Sequence, residues 1–110
     1  MFVLEKNRFV KNWPVDVVLP VDGGKVEKHP ITIDLKILGT EEGYKILQGD
    51  VGLFKETITG WSGISDAQGQ SLPFNEHHRD ELLNNPFFAL AAVKAYQQAS
   101  NGFAAIDEQP

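Results

Sequence analysis

The chain contains no cysteine. That excludes a disulfide framework and every thiolate metal site, and it suits a reducing compartment. Positive charge is short as well: ten Lys and Arg, scattered along the chain, face fifteen Asp and Glu, for a formal net charge of -5. Non-specific nucleic-acid binding draws on a cationic surface that releases counterions, so no nucleic-acid partner is expected. Long apolar runs are missing. The longest near the N-terminus is Phe2-Val3-Leu4, far short of a signal peptide or a membrane span, and the expectation is a protein of the cytoplasm with no membrane partner. No repeat or low-complexity tract interrupts the 110 residues, 42% of them hydrophobic. That length fits one domain, and that composition supports a core rather than a disordered chain.

What is present divides into two halves. In residues 13–38, Val15, Val17, Leu19 and Val21 fall on one face of a strand by the two-residue period. Asp22-Gly23-Gly24 supplies a hairpin turn, because glycine reaches positive φ without a Cβ clash. The return strand runs from Lys25 to Leu38, with Ile31, Ile33, Leu35 and Ile37 towards the core and Thr32, Asp34 and Lys36 towards water. Pro30 lacks an N–H and belongs at an edge or bulge. Phe2-Val3-Leu4 and Phe9-Val10 add either a short strand or an apolar arm.

Residues 40–102 carry helical spacing. Thr40-Glu41-Glu42 reads as a helix start, with a hydroxyl cap and acidic residues in the first turn. Tyr44, Leu47, Val51, Phe54 and Ile58 then form one apolar stripe, with a break or kink expected around Gly49-Asp50. Gly60 to Pro73 reads as a loop with a tight turn at Gln68-Gly69-Gln70. Asn75 caps a short helix that ends near Leu83. Asn85-Pro86 starts another, with asparagine at the cap and proline at the first helical position. Phe87, Leu90, Ala91, Ala95 and Ala99 line one side of it, Val93 and Tyr96 widen that stripe, and Asn101-Gly102 ends it.

The fold expected is therefore α+β: an N-terminal antiparallel β-hairpin or small sheet packed on about three C-terminal α-helices. A single domain covers residues 1–102, and residues 103–110 form a flexible tail. The expected core comprises Val17, Leu19, Ile33, Leu35, Leu47, Phe54, Trp61, Leu83, Leu90 and Val93.

Clusters that suggest chemistry are few. His77-His78 with Asp80 and Glu81 is the one group resembling a metal or acid–base site, but the adjacent histidines point to different helix faces and no His-Glu-x-x-His motif is present. The group reads as a solvated helix start. Asp22-Gly23-Gly24-Lys25 lacks the glycine spacing of a phosphate loop and leads into a strand. Gly60-Trp61-Ser62-Gly63 has the wrong spacing for a nucleophile elbow. No catalytic residue, cofactor or metal is expected. Trp61, beside Gly60 and Gly63, is either a core anchor or an interface anchor, and Trp13 before Pro14 poses the same choice. Phe87 and Phe88 lie about 100° apart on a helix, so at least one is a candidate for exposure.

The order of features is more informative than any one of them. Trp13-Pro14-Val15-Asp16-Val17 opens a strand; the hairpin turn and Ile31-Thr32-Ile33-Asp34 follow. Glu41-Glu42, Gly60-Trp61-Ser62-Gly63-Ile64 and Asp66-Ala67-Gln68-Gly69-Gln70-Ser71-Leu72-Pro73-Phe74-Asn75 come next, then Leu82-Leu83-Asn84-Asn85-Pro86 and a helix ending in Ala95-Tyr96. This series resembles the tail assembly chaperones of long-tailed bacteriophages and prophages over roughly residues 13–102. In that family a Gly-Trp motif leads into an Asp-x-x-Gly-x-x-Leu-Pro-Phe turn, a short helix and a helix carrying Ala-Tyr. The chain departs from it at its end, Ala105-Ile106-Asp107-Glu108-Gln109-Pro110, where the family often has a Lys-Asn type of tail.

The resemblance implies a non-catalytic assembly factor. It would bind the tape-measure protein, recruit tail-tube subunits in the host cytoplasm, and be left out of the finished virion. The alternative is a structural tail component, a tube or connector subunit retained in the particle. The expected partner-binding residues are Phe87, Phe88, Ala91 and Tyr96, on a helix whose apolar coverage looks wider than a small core needs. Trp61, Gly60 and Phe74 are the expected structural anchors.

Overall fold

The structure is a computed structural model that describes residues 1–104. Residues 105–110, most of the expected tail, lie outside the described residues. The elements run β1 (Arg8–Val21), β2 (Lys25–Ile37), α1 (Thr40–Leu47), α2 (Val51–Lys55), β3 (Ile58–Ser62), α3 (Glu76–Leu83) and α4 (Pro86–Ser100). The three strands form one antiparallel sheet in the order β1-β2-β3. The fold is α+β as expected; the described residues form four helices where about three were expected, because a break at Gly49 divides the first.

The hairpin follows from its punctuation. Gly23 and Gly24 both take positive φ, 82° and 76°, and Val21 pairs with Lys25 across them. The pairs Pro14↔Thr32, Asp16↔Pro30 and Pro20↔Val26 stand an even number of steps apart in one register. Antiparallel pairs alternate between a kind that exchanges N–H···O bonds and a kind that does not. All three prolines fall in the second kind, so their missing N–H groups cost the β1–β2 ladder nothing. Pro14 and Pro20 thereby present a donor-poor outer edge on β1, which resists pairing with a stray strand. Pro30 lies beyond the last β2–β3 pair, Thr32↔Ser62, where β2 is itself an edge.

The inward face of the sheet fades towards the hairpin tip. Val15, Ile31, Ile33 and Leu35 are buried, Val17 and Leu19 half-buried, and Val21 exposed. The helices cover only the near end, where α4 lies across β1 and β2. Ile33, Leu35 and Ile58 are essentially inaccessible, each worth roughly 1.5–3 kcal/mol of burial. Against them α4 presents Phe88, Ala91, Ala92, Ala95 and Tyr96. The alanines let the helix backbone come close to the sheet, and the two aromatic rings fill the wider gaps at either side.

That packing corrects several expectations. Leu90 is 70% exposed and Val93 37%, so the helix turns its alanines inward and these larger residues outward. Leu47 is 71% exposed. Trp61, Leu83, Val17 and Leu19 are half-buried, the first three packed against the core. Ile33, Leu35 and Phe54 are core residues as expected. The cap of α1 is Gly39 with no side-chain bond, so Thr40 is the first helical residue instead of the cap. Ile58 belongs to a strand, and the expected loop from Gly60 opens inside that strand. Phe9 and Val10 extend β1, paired with Lys36 and Leu35, whereas Phe2, Val3 and Leu4 enter no strand.

Candidate functional site

Two places unite the residues that the sequence singles out. The first is the segment from Gly60 to Phe74. Asn12 sits at an irregularity in β1 between Val10 and Trp13, with φ 56°, and its N–H donates to Asp34 Oδ1 at 2.8 Å. Asp34 therefore ties down the bulge instead of simply facing water. Gly60 pairs with Asp34 across the sheet. A Cβ at Gly60 would stand 2.5 Å from Asp34 Oδ2, which explains a glycine inside a strand.

Trp61, the next residue, pins the following loop. Its indole N–H donates to the Leu72 carbonyl at 2.8 Å, and its ring meets Phe74 edge-on at 4.9 Å and Phe88 at 6.4 Å between centroids. The loop is also tied within itself. Asp66 Oδ1 accepts from the Gln68 and Gln70 amides, and the Gly69 N–H, at φ 80°, donates to the Asp66 carbonyl. The expected turn at Gln68-Gly69-Gln70 is present, flanked by a Ser65↔Ser71 bridge. Trp61 and Phe74 thus meet at the base of this loop, while Gly60 makes room for Asp34 in the neighbouring strand.

These contacts lead to a first testable expectation. Gly60→Ala should cost about 1.5–3 kcal/mol, the worth of a hydrogen bond to a charged group, because Asp34 must turn away from Asn12. In an Asp34→Ala background the same substitution should cost far less, and a double-mutant cycle by chemical denaturation measures that coupling. Equal costs in both backgrounds would show that Asp34 is not what the glycine accommodates.

The second place is a groove where α1, α2 and α4 meet. The Gly49 N–H donates to the Ile46 carbonyl and the Asp50 N–H to Lys45, with Gly49 at φ 96°. This double bond pattern closes a helix in a Schellman motif. Asp50 then caps α2 by accepting from the Leu53 N–H at 2.9 Å. The expected break at Gly49-Asp50 therefore exists, and it cuts the apolar stripe in two. Phe54 and Ile58 turn into the core, while Tyr44, Leu47 and Val51 stay exposed. The result is a groove of about 250 Å³ with Phe54 and Tyr96 among its lining residues, bordered by Ile46, Leu47, Val51 and Val93. Phe54 and Tyr96 meet edge-on at 6.1 Å, and the Tyr96 hydroxyl accepts from the Leu38 N–H at 3.3 Å.

Of the expected partner-binding residues, Phe88, Ala91 and Tyr96 are buried, at 3%, 4% and 6% exposure, and Phe87 is half-buried. The first three are core contacts of α4 and leave little surface for a partner. The wide apolar coverage of this helix is real, but its outward members are Leu90 and Val93. Leu47 and Val51, which the stripe placed inside, are the exposed residues that sequence reasoning missed. Their signal was Gly49 itself, since a helix that ends there cannot keep the phase of its stripe.

The histidine cluster has an ordinary role. Asn75 Oδ1 accepts from the His78 N–H, His78 Nδ1 lies 2.8 Å from the Pro73 carbonyl oxygen, and the exposed His77 pairs with Glu81 at 2.7 Å. Among the described residues no group of three His, Cys, Asp or Glu side chains is placed to hold a metal, and no helix is long and apolar enough to cross a membrane. The chain matches no protein-family model, no curated protein and no solved structure.

Proposed function

We propose that this chain is a non-catalytic tail assembly chaperone. It binds the tape-measure protein of a long-tailed phage or prophage and recruits tail-tube subunits to it in the cytoplasm of the bacterial host, without entering the finished virion. The ordered resemblance from Trp13 to Tyr96 motivates the reading. The observation that carries it is the open apolar groove between α1, α2 and α4, with Leu47, Val51 and Val93 left exposed on its borders.

A tape measure is a long chain whose apolar helical stripes aggregate when unpartnered. An amphipathic helix docks its apolar face into a hydrophobic groove through anchors one turn apart. The net charge of -5 keeps such a complex dispersed. The buried Phe88, Ala91 and Tyr96 are framework under this reading, and Leu47, Val51 and Val93 make the contact.

Co-expression with a tape-measure protein encoded beside this chain tests the proposal. The expected result is a large transfer of tape measure from the pellet to the supernatant. A tape measure equally insoluble with and without this chain sinks the idea. Mass spectrometry of purified particles separates the alternative: a tube or connector subunit persists in the virion, and an assembly chaperone does not.

A further inference from the structure

We propose that α1 is a movable wall of the groove, which detaches and unwinds as one unit while α2, α4 and the sheet stay folded. Size calls for such a movement. At about 250 Å³ the groove is smaller than the roughly 300–1,000 Å³ of pockets that enclose a small ligand, whereas a docked helix brings several anchors along its length. Ile46 and Leu47 of α1 line the groove together with Phe54 of α2 and Val93, Tyr96 and Gln97 of α4. Detaching α1 removes the first two and leaves the other four in place.

The helix is held by little. None of its eight residues is buried, and only Gly43 and Ile46 are even half-buried. Ile46 packs on the core, while Tyr44 and Leu47 stay exposed. Gly39 at its cap offers no side-chain bond. Among the described residues no ion pair joins Glu41, Glu42 or Lys45. The tie at its base, from the Leu38 N–H to the Tyr96 hydroxyl, is long at 3.3 Å. Segments with few buried apolar contacts are the ones that open first. An isolated helix this short, with a glycine inside it, is unstable in water, so detachment is also unwinding.

The opening has natural limits. Gly39 and Gly49 flank α1, both exposed and with open space around them. Asp50 caps α2 on its own account, so α2 keeps its start when α1 leaves. The contrast is α3, which has the same length and also buries no residue. Asn75 caps it, Leu82 and Leu83 pack on the core, and its Asp80 meets Lys55 at 3.6 Å.

Amide hydrogen exchange of the full chain, followed by NMR in low urea, tests the proposal. The Tyr44 to Gln48 amides should exchange together, at least about 100-fold faster than those of Ala92, Ala95 and Tyr96, and faster than those of α3. Urea should speed α4 steeply and α1 hardly at all, because detaching α1 exposes little surface. Gly43→Ala should slow Tyr44 to Gln48 by about four- to fivefold, the advantage of alanine over glycine inside a helix. Its Cβ would meet the Tyr96 hydroxyl at 3.9 Å, an ordinary contact. Amides of α1 that exchange as slowly as those of α4, with the same urea dependence, open only with the whole chain and overturn the proposal. Unchanged α1 exchange in Gly43→Ala overturns it as well. Admission of a client through this wall rests on the proposed function. Gly43→Ala should bind a co-expressed tape measure about four- to fivefold more weakly, since apparent affinity scales with the open fraction, and recover less of it in the supernatant. Equal recovery overturns α1 as the gate and leaves the proposed function standing. A wild type that solubilises no tape measure defeats the proposed function alone, because exchange still decides whether α1 opens.

Discussion

Replacing Trp61 by alanine is expected to destabilise the domain by about 3 kcal/mol, the lower end of the range for truncating a large aromatic residue. Three contacts disappear together. The ring loses Phe74 and Phe88, and the Leu72 carbonyl loses its indole donor. Half-burial keeps the cost near the lower end. Trp61→Phe retains an aromatic ring but removes the N–H and one of the two fused rings, so it should cost about 1 kcal/mol for the hydrogen bond and about 1 kcal/mol for the lost apolar area. Urea denaturation of both variants, with midpoints and slopes compared, measures the two terms. A loss below about 1 kcal/mol for the alanine variant would move Trp61 out of the core and into the interface class.

Charging the groove should have the opposite profile. Under the proposed function, Leu47→Glu with Val51→Glu is expected to return a co-expressed tape measure to the insolubility it shows alone. The domain itself should change in stability by only about 0.5 kcal/mol per site, because both side chains already face water, at 71% and 63% exposure. Leu90→Glu is the control. Leu90 is equally exposed but does not line the groove, so that variant should still solubilise the client. If Leu90→Glu is as damaging as the pair, general surface hydrophobicity and not the groove holds the client. Together the two predictions separate the framework from the contact surface: Trp61 should govern stability, and Leu47 and Val51 should govern binding.

Much of the secondary structure was legible because its signals are local. A turn at Asp22-Gly23-Gly24 needs only positive φ over two residues. Asn75 and Asn85 cap helices by accepting from amides two or three residues ahead. Gly102 closes α4 with φ 74°, the Gly102 N–H donating to the Ala99 carbonyl and the Phe103 N–H to Gln98. Each device works inside one turn of chain, so composition at that turn reveals it. The alternation of Ile31, Ile33 and Leu35 was equally plain, since one face of a strand either meets a core or does not.

The candidate site was less legible. A stripe such as Tyr44, Leu47, Val51, Phe54 and Ile58 shows that a face is apolar, but the direction each half takes depends on the angle the chain makes at Gly49. The inward side of α4 was misjudged for a related reason. Small residues win a close helix–sheet contact through shape, and hydrophobicity alone ranks Leu90 and Val93 above Ala92 and Ala95. The role of Gly60 depends on Asp34, twenty-six positions away, and β3 was hidden because a glycine beside a tryptophan reads locally as a loop.

From residues alone came the α+β class, the hairpin and the caps at Asn75 and Asn85, whose devices work within a few positions of the chain. Packing settled which apolar residues are buried and which are left over. That choice is a competition among surfaces distant in sequence, and it turned Phe88, Ala91 and Tyr96 into framework while leaving Leu47 and Val51 at the edge of an open groove.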